Sequence, residues 1–319
     1  MTLLYRDARF LAHETGSHPE RALRLRAVES HLERHWLAAQ CRQPTFEPCD
    51  RRGLALVHAP AYIEEIWAFA RAGGGYLDAD TVCSTATFDV AALAAGAVVD
   101  AVGRVLQGED PTALCLVRPP GHHALAAQAM GFCIFNNVAL GAMAAVEQFG
   151  LDRVLIVDFD VHHGNGTQAI FWRNPRVGFL SIHRYPFYPG TGSADERGEG
   201  DGWGTTANLP VEFGTPRGEI LETFAARLQS FADHIRPQLV LVSAGFDAHR
   251  SDPLGNLGLE AEDFAAMTDR ILEVAAAHAG GRVVSVLEGG YNPPALAECV
   301  GEHLMRLIEG PPTSSPARP

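Results

Sequence analysis

The chain has 319 residues, a formal charge of −13, 47% hydrophobic and 20% charged residues, a composition that describes a globular domain with a large core rather than a fibre or a disordered chain. The acidic balance excludes phosphate-backbone binding as the main activity, because that needs a basic face. The 25 basic residues are all arginine, so no lysine amine is present to form a Schiff base. The six cysteines contain no Cys-x-x-Cys pair, which points away from a zinc ribbon or disulfide framework and toward a reducing cytoplasm.

In chain order, residues 1–10 carry Arg6, Asp7 and Arg9 and lack a secretory apolar core. A His/Glu/Arg-rich loop from His13 to Arg26 leads into a helix expected over 20–37, and Gly73-Gly74-Gly75 closes the segment 60–72. The Ala/Val/Leu stretch 90–107 is interrupted by Asp100 and Arg104, so it reads as a buried helix rather than a membrane span. Strand-like runs follow at 114–117, 154–157, 178–182, 239–243 and 283–287, with helical patterns at 134–149, 217–235 and 260–279. This alternation predicts a single-domain α/β fold, a mostly parallel sheet with helices on both faces. Residues 189–206 are expected to form a long loop. One domain is expected over 1–309, with a fraying Pro/Ser-rich tail over 310–319.

Each strand-like run is followed at once by unusual polar residues, and ligands of open α/β sheets bind beyond the carboxyl ends of the strands. The candidate site is therefore one sheet edge. Asp160, His162 and Asp247 would supply two carboxylates and one imidazole, a three-ligand metal set that leaves a position open for water. The alternative for Asp160 and His162 is a capping or ion-pair role, but Asp247 in Ser243-Ala244-Gly245-Phe246-Asp247 follows another apolar strand and weakens it. His122 and His123 follow Pro119-Pro120-Gly121, a turn that presents two adjacent rings. With Asp158 as an ionic partner and Asn165 as a neutral one, the two rings can hold different protonation states and act as an acid/base pair. Tyr291, on the glycine turn Glu288-Gly289-Gly290, is either a buried tyrosine or an oxyanion donor. Phe132, beside Gly131, and Tyr188 are either core aromatics or the walls of a slot for an alkyl chain.

These motifs resemble the histone deacetylase family, and the resemblance runs from His18-Pro19-Glu20-Arg21 to Leu287-Glu288-Gly289-Gly290-Tyr291. It implies an arginase-like α/β fold, zinc on Asp160, His162 and Asp247, with iron(II) or cobalt(II) suited to the same donors, and a structural potassium ion around Asp158, Asp160, His162, Ser181 and Ile182. His122 and His123 would be the acid/base pair, Tyr291 would polarise the acyl carbonyl, and Gly131, Phe132, Tyr188 and Leu254 would line the substrate channel. Asn165 and the Leu-Glu-Gly-Gly-Tyr-Asn ending are class II-like, and the lack of a regulatory extension is similar to the bacterial deacetylase-like amidohydrolases. The loop 183–188 departs from the pattern in being short and in carrying tyrosine where phenylalanine is frequent.

The implied reaction releases acetate, or another short acyl group, from N-acyl-lysine side chains of proteins or peptides, with no nucleic-acid or membrane partner. A small acylated amine is the alternative substrate. Polyamine-selective relatives place a glutamate after Asp-Pro, whereas this chain has Leu254, which favours acyl-lysine. An arginase-type ureohydrolase would need a second metal and further aspartates where His163, Gly164 and Ala248 stand. A catalytically silent acyl-binding protein would be expected to have lost Tyr291 or a metal ligand, and all are present.

Overall fold

The computed structural model describes residues 1–312. In chain order the elements are β1 (Thr2–Tyr5), α1 (Leu23–Arg34), β2 (Cys41–Arg42), α2 (Arg51–Leu54), α3 (Pro60–Arg71), β3 (Gly75–Tyr76), β4 (Val82–Cys83), α4 (Thr87–Leu106), β5 (Thr112–Cys115), α5 (Asn137–Glu147), β6 (Val154–Asp158), α6 (Asn165–Phe171), β7 (Val177–Arg184), β8 (Thr206–Val211), α7 (Arg217–Ile235), β9 (Leu239–Ala244), α8 (Ala261–His278), β10 (Val283–Leu287) and α9 (Pro293–Glu309). Eight strands form one sheet in the order β2-β1-β5-β10-β9-β6-β7-β8. Every neighbouring pair in it is parallel, while β3 and β4 make a separate antiparallel hairpin.

A parallel sheet needs cover on both faces, and period-two alternation shows how it is supplied. Leu155, Val240 and Gly178 share one row across β6, β9 and β7, and a side chain grown from Gly178 would meet Ile235 of α7; one residue along β9, Leu241 lies toward Gly141 of α5. On one face α1, α9, α8 and α7 pack in succession, and on the other α4 packs against α5. The central strands β6, β9 and β10 are buried along their whole length. No helix among the described residues is long and apolar enough to cross a membrane.

Local chemistry sets the element ends. Asn136 accepts from the Ala139 amide and starts α5 three residues later than its apolar pattern does. Glu260 and Asp263 form a reciprocal capping box on α8, and Asn292 followed by Pro293 starts α9. The helix expected over 20–37 is shorter, because Glu20 is taken into a buried ion pair and the turn precedes Leu23. The run expected at 114–117 is shifted, since β5 pairs only over Thr112–Cys115, though Leu116 still donates to the Tyr5 carbonyl at 2.9 Å. Residues 189–206 are mostly irregular, but Thr206 already belongs to β8, an edge strand that tolerates Pro210. From residue 313 onward the expected tail lies outside the described residues.

His303 of α9 ties two layers together. Its Nδ1 meets Thr268 Oγ1 of α8 at 2.7 Å and its Nε2 meets Ser285 Oγ of β10 at 2.8 Å, with the ring 1% exposed. Burial pushes its pKa from 6.5 down to about 3, so the folded chain holds the ring neutral while the unfolded chain protonates it below pH 6.5. That contribution is complete above pH 6.5 and is lost progressively as pH falls toward the folded value. By linkage the loss reaches about 2 kcal/mol at pH 5. Urea unfolding of wild type and His303→Gln at pH 8 and pH 5 should show the variant less stable at pH 8 but losing less on acidification; equal losses would place the acid sensitivity elsewhere.

Candidate active site

The carboxyl ends of β5, β6, β9 and β10 deliver the polar residues to one edge of the sheet. Asp158 closes β6, with Asp160 and His162 beyond it; Asp247 lies three residues past β9 and Tyr291 four past β10. His162 Nδ1 is 3.0 Å from Asp160 Oδ1 and 3.1 Å from Asp247 Oδ2. One donor atom from each of the three residues lies within 4.8 Å of the others. Asp160 and Asp247 are both 0% exposed, and glycine backbones press against them. A Cβ on Gly245 would stand 2.0 Å from Asp160 Oδ2, and one on Gly289 2.2 Å from Asp247 Oδ2. Only glycine lets the chain close over both carboxylates.

This donor set fits a cation. Burial, reinforced by the charge of Asp160, pushes the Asp247 carboxyl up to about 7, because two anions in one dry volume resist joint ionisation. Burial alone would lower the His162 ring's pKa, yet Asp160 and Asp247 hold it up at about 10. Both shifts express a demand for positive charge at the point where the three side chains converge. Two carboxylates and an imidazole suit a divalent ion such as zinc.

The histidine pair stands beside this cluster, with ring centroids 4.0 Å apart. His122 Nδ1 meets Asp158 Oδ2 at 3.0 Å, and His123 Nδ1 meets Asn165 Oδ1 at 2.7 Å. For His122, burial lowers the pKa but Asp158 and Asp160 outweigh it and raise the ring to about 10. For His123, burial and the neighbouring His122 and His162 charges drive it well below 6.5. The two surroundings thus move the rings in opposite directions, His122 toward holding its proton and His123 toward losing it. With Nδ1–H committed to Asn165, the free lone pair of His123 is on Nε2.

Tyr291 is half-buried, and its phenol is raised well above 10 by burial, opposed by Arg24 and aided by Asp247 and Asp160, so the hydroxyl remains a donor. Its loop is held by residues that the sequence left without roles. Arg24 donates from Nε to the Gly290 carbonyl at 2.6 Å and from Nη1 to Glu20 Oε1 at 3.1 Å, and lies 4.9 Å over the Tyr291 ring. Arg118 bonds both oxygens of Glu20; burial alone would raise that carboxyl, but Arg118, His13 and Arg24 hold it at about 2. Asp252 Oδ2 accepts from the Tyr291 amide at 2.6 Å, while Oδ1 accepts from Leu254 and Gly255. The one available signal was the charged spacing of Glu20, Arg24 and Arg118, which carries meaning only once these partners are known.

The rim is aromatic. Phe132 packs edge-on to Tyr291 with centroids 5.6 Å apart, and Tyr188, 40% exposed, packs edge-on to His123 at 5.3 Å. A Cβ on Gly131 would stand 2.4 Å from His123 Cδ2, so the Gly131-Phe132 turn lies directly on that ring. Phe187, not singled out from sequence, stacks on His162 at 5.3 Å with a 17° interplanar angle. Leu254 is half-buried on the Asp252 turn. Ser181 lies opposite Asp158 in the β6–β7 register, with Ile182 buried beside it.

Three converging donors that could hold a metal ion, with a histidine pair beside them at the strand ends of a parallel sheet, suit a metal-assisted hydrolase. The family model for the histone deacetylase domain matches residues 18–307. The histone deacetylase-like amidohydrolase of Pseudomonas aeruginosa is 38% identical over 285 residues, 89% of this chain and 75% of that protein. The polyamine deacetylase HDAC10 of Homo sapiens is 40% identical over 319 residues, 94% of this chain but 46% of that longer protein. The crystal structure of the HDA15 HD domain superimposes with a TM-score of 0.92 at 35% identity, covering 98% of this chain and 90% of that one. The chain belongs to the histone deacetylase family, has the arginase/deacetylase fold, and is a deacetylase acting on amide bonds.

Among the described residues three side chains converge as candidate metal donors, so Asp247→Ala should lower bound metal as well as rate. Metal analysis of the purified variant checks this; wild-type stoichiometry would show that Asp247 is not a ligand.

Proposed function

We propose that this deacetylase is zinc-dependent and removes acetyl groups from N-acetyl-lysine side chains of proteins or peptides. The observation that carries the reading is the geometry that sets His122 on Asp158 and His123 on Asn165, ring beside ring, next to the converging donors of Asp160, His162 and Asp247. Zinc bound there would supply Lewis acidity and activate water; iron(II) or cobalt(II) would suit the same donors. His123 takes the proton of the attacking water at Nε2 and returns it to the leaving amine. His122 stays charged against Asp158 and offsets negative charge as it develops. The Tyr291 hydroxyl donates to the acyl oxygen and bonds most strongly as that oxygen becomes an anion. Phe132, Tyr188 and Leu254, with Gly131 at the His123 ring, line the entry for an alkyl chain. A potassium ion around Asp158, Asp160, His162, Ser181 and Ile182 would add a structural charge, and the six free cysteines suit a reducing cytoplasm.

A second reading, an acylated polyamine as substrate, has one observation in its favour. Burial, then the charges of Asp80, Cys133 and Asp78, raises the Tyr188 phenol, and the nearby Asp78 and Asp80 would favour a substrate with a distal ammonium. Against it, Leu254 is apolar, and the Asp252 carboxylate of the same turn is taken by the Leu254, Gly255 and Tyr291 amides.

Tyr291→Phe keeps the ring and should keep metal, while kcat on an acetyl-lysine peptide falls about 10²–10³-fold, the usual loss for one oxyanion donor. KM should move far less. Assays of the two proteins at equal metal content check this; unchanged kcat would remove Tyr291 from the reaction.

For Leu254→Glu, hydrolysis of acetylspermidine relative to acetyl-lysine peptide should rise by roughly 5-fold, the equivalent of about 1 kcal/mol for a solvent-screened ion pair. An unchanged ratio of the two kcat/KM values would show that Leu254 does not face the substrate.

A further inference from the structure

Glu288 is 0% exposed and takes no part in the chemistry described above. It follows β10, the strand that lies between β5, which leads to the histidine pair, and β9, which leads to Asp247. Its carboxylate reaches both neighbours. Oε2 accepts from the Gly121 amide at 2.7 Å and from the His122 amide at 3.2 Å, and Oε1 accepts from Ser243 Oγ of β9 at 3.2 Å. These two amides lie beyond the paired part of β5, and no other acceptor takes either one among the described residues. The backbone of the same segment reaches the other half of the site, since the Glu288 amide donates to the Ala244 carbonyl at 2.9 Å and the Gly289 amide donates to Asp160 Oδ2 at 2.9 Å.

We propose that Glu288 is a positioning residue: by gripping the Gly121 and His122 amides it sets where the His122 and His123 rings stand relative to Asp160, His162 and Asp247. Two consecutive N–H groups on one carboxylate oxygen define the direction of the turn as well as its distance. Asn137 also braces the turn, donating to the Pro119 carbonyl at 3.1 Å, but among the described residues its side chain makes no hydrogen bond to Asp160, His162 or Asp247. Glu288 alone among these braces spans both halves.

The inference rests on the reading of His122 and His123 as the proton-handling pair, so the experiment includes His123→Ala as a separate arm. Glu288→Gln keeps an acceptor oxygen at the same reach and can donate to Ser243, whereas Glu288→Asp keeps the charge and falls one methylene short. At equal metal content on an acetyl-lysine peptide, Glu288→Gln should retain kcat within about threefold, against a loss of about 10²-fold for Glu288→Asp, the scale of an ångström-sized misplacement of catalytic groups. KM should stay within about twofold in both, a small change on that same scale. Hydrogen exchange at the Gly121 and His122 amides should be slow in wild type and Glu288→Gln and fast in Glu288→Asp. Glu288→Gln as impaired as Glu288→Asp would make the charge, not the position, the contribution and would overturn the proposal. So would variants that lower thermal stability but leave kcat intact. Wild-type kcat in His123→Ala would instead sink the reading of the histidine pair.

Discussion

Four carboxyl groups, Asp158, Asp160, Asp247 and Glu288, lie at the ends of adjacent central strands and each is 0% exposed. Carboxyl groups buried so close together resist joint ionisation, and burial raises Asp158, Asp247 and Glu288; they are tolerated only when each is paired or hydrogen-bonded, and this constraint organises the rest of the site. Asp158 is matched by a charged His122, Glu288 by two amides and a hydroxyl, and Asp160 and Asp247 by His162 together with the cation their geometry invites. The same negative charge separates the two histidines, because only the ring beside Asp158 gains enough from a proton to overcome burial.

The parallel sheet makes this concentration possible. Antiparallel neighbours would carry half of the strand ends to the opposite edge, whereas here β5, β10, β9 and β6 all end together. A second layer of ionic contacts, Arg118–Glu20–Arg24, then fixes the Gly290-Tyr291 turn from behind. Buried ion pairs of this kind contribute little net stability against an apolar replacement. Their effect is directional, holding carbonyls and a phenol ring where a loop would otherwise sample several positions.

The candidate site draws on two kinds of element. Its polar residues come from strand ends, while the residues around them come from loops: the Gly131-Phe132 turn, the 185–188 segment with Phe187 stacked on His162, the hairpin bearing Asp78 and Asp80, and the Asp252-Leu254 turn. Such loops vary without disturbing the sheet. The relatives of this chain include both a polyamine deacetylase and a deacetylase-like amidohydrolase.

How much was legible in the sequence follows from how local each signal is. Apolar runs of four to eight residues with helical periods between them announce a parallel α/β sheet, and an Asp-x-His triplet or tandem histidines at a strand end announce a metal site, since strand geometry alone puts such residues on one edge. The edge strand β8, with its asparagine and proline, reads as loop until β7 supplies its partner. Arg118 and Glu288 stood out only as polar residues after apolar runs, and neither they nor Phe187, Arg24 and Asp252 showed which groups they hold. The sequence by itself determined the fold class and which residue types could hold a metal and move protons. The tertiary structure alone decided which histidine holds its proton more tightly, which backbone amides a buried glutamate grips and which aromatic ring stacks on His162, because those depend on burial and on partners 25 to 167 residues away along the chain.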